Sequence, residues 1–468
     1  MTTIASLDID DAAINYGKPN GLHWFTAALF LVADMAGAGI VALPVAMARS
    51  GSLAGIIIII LLTITFCYTA CILSSNWIIM CNRWSIYAKH CRKPSICSCI
   101  LNTVLFGVAV VFCLLASYII NDFIISITNY DIGFCYVLLF VTLAIYPVTL
   151  LRSPQDFWWA VVLAMLTTLF SVILILIGSW LDYGKCSSTA FDSRPIHYDA
   201  IIASLGTYMF GLGGHVVFPS VQHDMKFPKK FKRSAILAFT AVALIYLPVS
   251  LLGYAAYGNS LHDSVINSIQ LNDLFFIFDF KYLLIFSTGW IRQFANLFIA
   301  IHCILTLTVV INPLNQEVEN LVKAPHHFGW HRVFIRTIVI LTVLFVAETV
   351  PKFGPVLNVI GGSTTALTSA ILPLLYNNYL NASVHDPITN TYKRPTFIQV
   401  LQRNSKSKLL IDFAVIVISV IFGTATTYIA VVEMASTEFR MPCYLFFLEN
   451  TPRNISANLS LEQLSVCN

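Results

Sequence analysis

Residues 52–73 read SLAGIIIIILLTITFCYTACIL, an apolar stretch without one charged side chain. Crossing a hydrocarbon core about 30 Å thick takes roughly 20 such residues in a helix. Inside lipid the backbone must satisfy its own N–H and C=O groups, and within a single segment only a helix does so. Comparable stretches recur from residue 24 to residue 433, so the chain is expected to be an all-α polytopic membrane protein. Composition points the same way. Of 468 residues, 57% are hydrophobic and 11% charged, too little charge to cover the surface of a soluble protein this large.

Hydropathy windows of about 19 residues place eleven spans. They fall near 24–48, 51–75, 102–121, 133–151, 157–180, 199–220, 234–257, 288–312, 333–350, 355–376 and 410–433. The turn ARSG joins spans 1 and 2 as a tight hairpin, and VPKFGP, with two prolines, separates spans 9 and 10. Spans 1–5 (24–180) and 6–10 (199–376) form two blocks of odd span number. The second block is therefore inserted upside down relative to the first, and span 11 (410–433) is added at the end. The remaining segments are 1–23, 181–198, 377–409 and 434–468.

Charge sets the orientation. The loop after span 2 holds Arg83, Lys89, Arg92 and Lys93. That after span 6 holds Lys226, Lys229, Lys230, Lys232 and Arg233, and that after span 10 holds Lys393, Arg394, Arg403, Lys406 and Lys408. Alternate loops carry Asp122, Asp131, Asp263, Asp273 and Asp279. The positive-inside rule then puts 1–23 and 377–409 in the cytosol, and 181–198 and 434–468 outside it. The first residues lack a basic region followed by an apolar core, so no cleavable signal peptide is expected. The tail carries glycosylation sequons at Asn454 and Asn458, although Asn381 forms a third on the expected cytosolic side. Cys186, Cys443 and Cys467 share the oxidising side; a disulfide at Cys186 fits, with its partner left open. Arg292 and Glu348 are expected to snorkel to headgroups or to meet each other.

Span 1 contains DMAGAGIVALP, Asp34 to Pro44, and span 6 contains GLGGHVVFP, Gly211 to Pro219. Gly39 precedes Pro44 by five residues, as Gly214 precedes Pro219. Helix breakers at matching positions of two opposed repeats point to a transporter's substrate site. Glycines allow the backbone to part and approach a solute. Freed N–H groups then attract a carboxylate and freed C=O groups an ammonium, the two charges of an amino acid. The candidate binding residues are Ala36, Gly37, Ala38, Gly39 and Ile40 in span 1, and Tyr208, Phe210, Gly211, Gly213 and Gly214 in span 6. Pro44 and Pro219 are the expected break points. The plainer alternative is that the small residues merely let helices pack closely.

An acid about ten residues into a span costs on the order of 3 kcal/mol unless paired, hydrated or protonated. Asp34 either faces the solute cavity, taking a coupling proton or balancing an ammonium, or is a structural acid. His215 is either a proton relay or a hydrogen-bonded strut. Thr306 and Thr308 can ligate sodium or substrate, or bond their own backbone.

With these motifs in view, the chain resembles the amino acid/auxin permease family. The resemblance rests on GAGIVALPVA, YMFGLGGHVVFPSVQHDMKFPKKF, GYAAYG, Asn312-Pro313 and FGPVLNVIGG, and runs from about residue 20 to 433. It is nearest to the proton-coupled and vesicular branches. It implies a LeuT-like fold of eleven helices and secondary active transport of amino acids. One departure stands out: CRKPSICSCILNTVLF runs almost directly into span 3, where relatives carry a longer Tyr-Pro link.

The expectation is a proton-coupled carrier of small neutral amino acids, with sodium as the other candidate ion. The alternatives are a non-transporting amino-acid sensor and a passive carrier. No phosphate-binding loop, catalytic constellation, metal-ligand cluster or nucleic-acid footprint is legible, so no enzyme, cofactor or nucleic-acid partner is expected. The partners are the amino acid and the bilayer. Plasma membrane and endolysosomal or vesicular membranes both remain open.

Overall fold

The computed structural model describes residues 17–19, 21–84, 96–150, 158–190, 197–262, 264–270, 274–276, 285–324, 329–350, 352–386, 391–436 and 442–444. Span 1 is split into α1 (Trp24–Met35) and α2 (Ala38–Ser50), with axes bent by 57°. Then follow α3 (Ser52–Trp84), α4 (Ile96–Thr128), α5 (Phe134–Thr149) and α6 (Trp158–Ala190). Span 6 is split into α7 (Tyr198–Leu212) and α8 (Phe218–His223). Next come α9 (Phe231–Tyr257), α10 (Thr288–Leu321) and α11 (Trp330–Thr349). Span 10 begins as α12 (Phe353–Ile360), passes through a π-helical stretch, Gly361–Ile371, and ends as α13 (Leu372–Ala382). The short α14 (Phe397–Arg403) precedes α15 (Lys406–Ser436).

Among the described residues, eight helices are long and apolar enough to cross a bilayer, nine with the bent pair α1/α2. The other two expected spans are shorter: α5 has 16 residues and α7 has 15. Large apolar side chains face outward on several helices, among them Leu53, Leu143, Leu244 and Leu410, as lipid contact requires. Span boundaries differ from the sequence reading in one direction. Helix α6 runs ten residues past 180, and α10 runs nine past 312, straight through Pro313. Hydropathy marks where lipid ends, whereas a helix continues into water for as long as its backbone bonds hold.

Two groups of helices position the site. Helix α10 packs chiefly on α4 and α6, and α11 adds to α4 and α5. Around the breaks, α2 packs on α7, and α9 packs on α1, α2 and α3 as well as α6. A buried ionic knot ties α10, α11 and α5. Arg336 Nε lies 2.6 Å from Glu319 Oε1, Arg332 Nε 3.0 Å from the same oxygen, and Arg336 Nη1 donates to Thr149 O. A strap ahead of α1 pairs with the chain after α8. Leu22 N donates to Asp224 O at 2.8 Å and Lys226 N to Leu22 O at 2.9 Å, while Lys18 and Asp224 form an ion pair at 2.5 Å. The two broken spans are thus stitched together at one face of the molecule, called here the strap face.

At the opposite face polar groups close the bundle. Tyr257 donates to Asp182 Oδ2 at 2.5 Å, Gln270 N donates to the same oxygen at 3.0 Å, and Asn267 donates to Asp122. Arg292 and Glu348 are both buried, which corrects the expectation that they snorkel. Arg292 is held in the field of Asp122 and Tyr257. Depth along a span was readable in the sequence, but not which side of α10 meets protein. A disulfide joins Cys135, at the start of α5, to Cys443. Cys186 is disulfide-bonded as well. The sequons Asn454 and Asn458 lie outside the described residues, and Asn381 sits inside α13 with its amide on Asn377 Oδ1 at 2.9 Å.

Candidate functional site

The breaks of spans 1 and 6 meet at the centre of the bundle. In span 1 the last α-helical bond runs from Ala36 N to Val32 O at 2.7 Å, and the helix stops where Gly37 N turns onto Met35 O at 2.9 Å instead of reaching back four residues. In span 6, Gly213 N bonds Phe210 O at 3.1 Å, and Gly213–Val217 carry the chain to α8. Pro219 then sits in the first turn of α8, where a missing N–H costs no helix bond. Pro44 does not mark a break. It lies inside α2, packed against Gly253.

Close approach explains two of the glycines. A β-carbon on Gly39 would fall 2.7 Å from Gly211 Cα, so α2 and α7 touch backbone to backbone. A β-carbon on Gly214 would fall 2.6 Å from Asp34 Oδ2, which places the carboxylate directly against the span 6 break. One side chain spans both breaks: the Tyr246 hydroxyl on α9 lies 2.7 Å from Met35 O and 2.8 Å from Gly211 O. Its one hydrogen is shared between a carbonyl of each break, of which Met35 O also accepts from Gly37 N.

Asp34, Phe210, Gly213 and Gly214 line a central cavity of about 40 Å³. Its remaining wall is Met35, Val104, Leu105, Val108, Phe112, Val216, Val217 and Val310, with Thr365, Thr368 and Ser369 from the π-helical stretch. The wall is therefore mostly apolar, with one carboxylate and a few hydroxyls. Asp34 makes no hydrogen bond to another described group, so its oxygens are available to an occupant. Leu105, Val216 and Val217 also line a vestibule of about 550 Å³, which reaches the Lys18–Asp224 pair and Glu317 at the strap face. The cavity thus adjoins the vestibule on the strap side, while the Asp182–Tyr257 and Asp122–Asn267 bonds lie at the opposite face.

Other sequence candidates lie elsewhere. Tyr208 is fully buried at the far end of α2, with its hydroxyl 3.1 Å from Ser50 Oγ, away from the cavity. Ala36, Gly37 and Ile40 are buried at the break, and Ala38 and Gly39 open α2. The Thr308 hydroxyl donates to Ile304 O of its own helix at 2.9 Å. Thr306 lines a second small pocket together with Asp34 and Ala164. His215 Nε2 lies 3.0 Å from Thr69 Oγ1 and 3.1 Å from Phe66 O on α3, and the ring is enclosed by Phe66, Phe218 and Phe239. Tyr246, Phe112, His302 and the π-helical threonines went unmarked in the sequence. A signal did exist for His302, which stands one turn from Thr306 in a long apolar helix.

Such a cavity between two interrupted helices is the geometry of a known class. The family model for transmembrane amino acid transporter proteins matches residues 20–428. The chain belongs to the transmembrane amino acid transporter family. Relatives of this transporter family include amino acid transporter AVT1C of Arabidopsis thaliana, 24% identical over 241 residues, half of this chain and 40% of that protein. Lysine histidine transporter-like 1 of the same plant is 27% identical over 185 residues, 38% of this chain and 37% of that protein. These matches span less than half the length of the relatives. Among solved structures, MhsT in complex with L-phenylalanine superimposes with a TM-score of 0.56 at 11% identity, covering 88% of this chain and all of that one. A manganese transporter of Eremococcus coleocola, as a mutant, gives 0.50 at 12% identity, covering 95% and 90%. The fold of this family member is LeuT-like, in a multi-pass membrane protein.

Proposed function

We propose that the chain is a secondary active transporter of small neutral amino acids, driven by a proton gradient and working by alternating access. The carrying observation is the pair of breaks facing one cavity with the Asp34 carboxylate between them. The substrate carboxylate meets the backbone amides that open α2, at the positive end of that helix dipole. Its ammonium meets Asp34 and the carbonyls that end α7. Its side chain faces Val104, Val108, Phe112, Phe210 and Val310, which suits small apolar groups and offers no partner for a second charge. The vestibule at the strap face, taken as cytosolic from the basic loops, is the exit path of an inward-facing state. Return to an outward-facing state requires parting the Asp182–Tyr257 and Asp122–Asn267 contacts while the vestibule closes.

The test is uptake by the purified full chain in proteoliposomes, across a panel of labelled amino acids, with and without an imposed pH step. Saturable uptake of small neutral amino acids, raised by an acidic outer medium, is the expected result. Binding of those amino acids without flux would replace the carrier by a sensor. Uptake indifferent to pH but dependent on sodium would replace the proton.

A further inference from the structure

Behind the span 1 break sits a buried histidine to which the transport cycle above gives no part. His302 on α10 is fully enclosed, and both ring nitrogens have neighbours. Nδ1 is 2.6 Å from Thr168 Oγ1 and 3.1 Å from Ala164 O, both on α6. The Thr168 hydroxyl donates to Ala164 O at 2.8 Å, which leaves its oxygen as an acceptor toward the ring, and a carbonyl only accepts. In that arrangement Nδ1 carries the hydrogen, and the neutral ring presents its lone pair at Nε2. That nitrogen faces Thr306 Oγ1 at 3.2 Å, and a β-carbon on Gly37 would lie 2.5 Å from it. The basic nitrogen is aimed at the hinge of span 1.

Thr306 differs from Thr308 in a way that matters here. Its hydroxyl has no backbone acceptor among the described residues, so it can donate to a neutral Nε2 and turn to accept from a protonated one. The small pocket shared by Thr306, Ala164 and Asp34 has Phe30, Val161, Val217, Val221 and Val309 in common with the vestibule, so the pocket beside Thr306 adjoins the vestibule.

We infer that His302 is the group that takes and releases the coupling proton, at Nε2, and that its charge sets how firmly the span 1 hinge is held against α10. The inference rests on the transport reading above and deepens it. In the step, a hydronium ion arriving from the solution gives up its proton and is left as water while an N–H bond forms at Nε2; Nδ1–H stays with α6. The charged ring then donates toward Thr306 and the hinge and attracts Asp34. Deprotonation to water on the other side restores the lone pair and releases the hinge. Other titratable groups from the packed elements are Asp34 on α1, Cys113 on α4, Tyr246 on α9 and Cys303 beside the ring on α10. From α4 the ring itself meets Phe112. Arg292 stands about 15 Å along α10 by helical rise and belongs to the closed face with Asp122 and Asp182. Glu319, with Arg332 and Arg336, stands about 25 Å the other way.

His215 makes the contrast. Its Nε2 is anchored on a threonine and a carbonyl in the same fashion, but Nδ1 has no hydrogen-bond partner among the described residues, and the ring lies among aromatic rings. A proton there would have nothing to donate to.

The experiment uses the full chain in proteoliposomes with a mixture of labelled glycine, alanine, serine and proline. In His302→Gln, exchange at equal pH is expected to persist while accumulation under a pH step collapses, together with substrate-evoked proton entry read by a trapped pH dye. One coupled proton sets a ceiling of about tenfold accumulation per pH unit, so the loss is easily read. In Thr306→Val, the pH profile should shift to the acid side by roughly one unit, the worth of one hydrogen bond to a charged ring. Full pH-driven accumulation in His302→Gln would overturn the inference, as would an unmoved profile in Thr306→Val should the first variant fail to fold. A wild type that exchanges none of these amino acids would sink the transport reading instead. Hydrogen exchange at the imidazole C2 position, read by mass spectrometry between about pH 5 and 8, then still decides whether His302 titrates; a flat profile overturns it.

Discussion

The two breaks look alike in sequence and sit differently in the bundle. The span 1 break is short, Ala36 and Gly37, and is backed by His302 and Phe112 from α10 and α4. The span 6 break is longer, Gly213–Val217, and its histidine turns away onto α3, inside an aromatic box. The span 1 break leans on α10, which carries Glu319 of the buried knot, and the span 6 histidine leans on α3. A junction between two packed bodies is where relative motion is felt, so the span 1 break is the one to which coupling can be attached. The span 6 break is built instead as a wall of the cavity, held to span 1 by Gly211 against Gly39 and by the shared hydroxyl of Tyr246.

Five substitutions test that contrast, beginning with the largest expected effect. Gly37→Leu puts a side chain where His302 Nε2 already stands, 2.5 Å from the first added carbon. Uptake per correctly inserted molecule should fall about 100-fold or more, since a displacement of this size at a site is enough for that loss. At Gly213 the first added carbon would collide with Thr365 Cγ2 and fall 3.0 Å from Met209 O, so Gly213→Ala also forces a shift, but one that movement of a threonine methyl can absorb, and it should cost less; equal losses would erase the distinction between the breaks. Asp34→Asn removes the charge facing the substrate ammonium. KM should rise roughly tenfold to a hundredfold, as for a charge-assisted hydrogen bond of about 1.5–3 kcal/mol, while the shape of the pH profile persists. A flattened pH profile with unchanged KM would move the proton from α10 to Asp34. Tyr246→Phe strips the hydroxyl from both breaks at once. Thermal unfolding in detergent should show a loss of about 1–3 kcal/mol, and no loss would mean that water covers those carbonyls equally well. His215→Gln should be the mildest, about 1 kcal/mol from one weakened tie to α3. Its pH profile should match the wild type, and abolished pH dependence would reverse the roles of the two histidines.

Much of the fold was legible because lipid imposes a local rule: each apolar run had to become a helix. The runs at 52–73 and 234–257 are read directly, and so are the interruptions around Gly37 and Gly214. The far ends of α6 and α10 were not, because a window of hydropathy stops where lipid stops. Pro44 was misplaced as a break for a related reason. Proline removes one N–H and disturbs one turn, and α2 absorbs this against Gly253, whereas the backbone actually turns at Gly37, whose N–H bonds to Met35 O. Tyr208 was misplaced because its helix face was unknown.

What the residues determined by themselves is a membrane-embedded bundle with two spans that cannot run unbroken, since burial cost and helix-breaking act within a few neighbouring positions. Only the tertiary structure decided which polar groups serve the breaks. Tyr246 reaches Met35 O across 211 residues, and His302 finds Thr168 across 134. A buried hydroxyl or imidazole must find a partner, but the helix that supplies it is chosen by packing between distant spans, which no local pattern encodes.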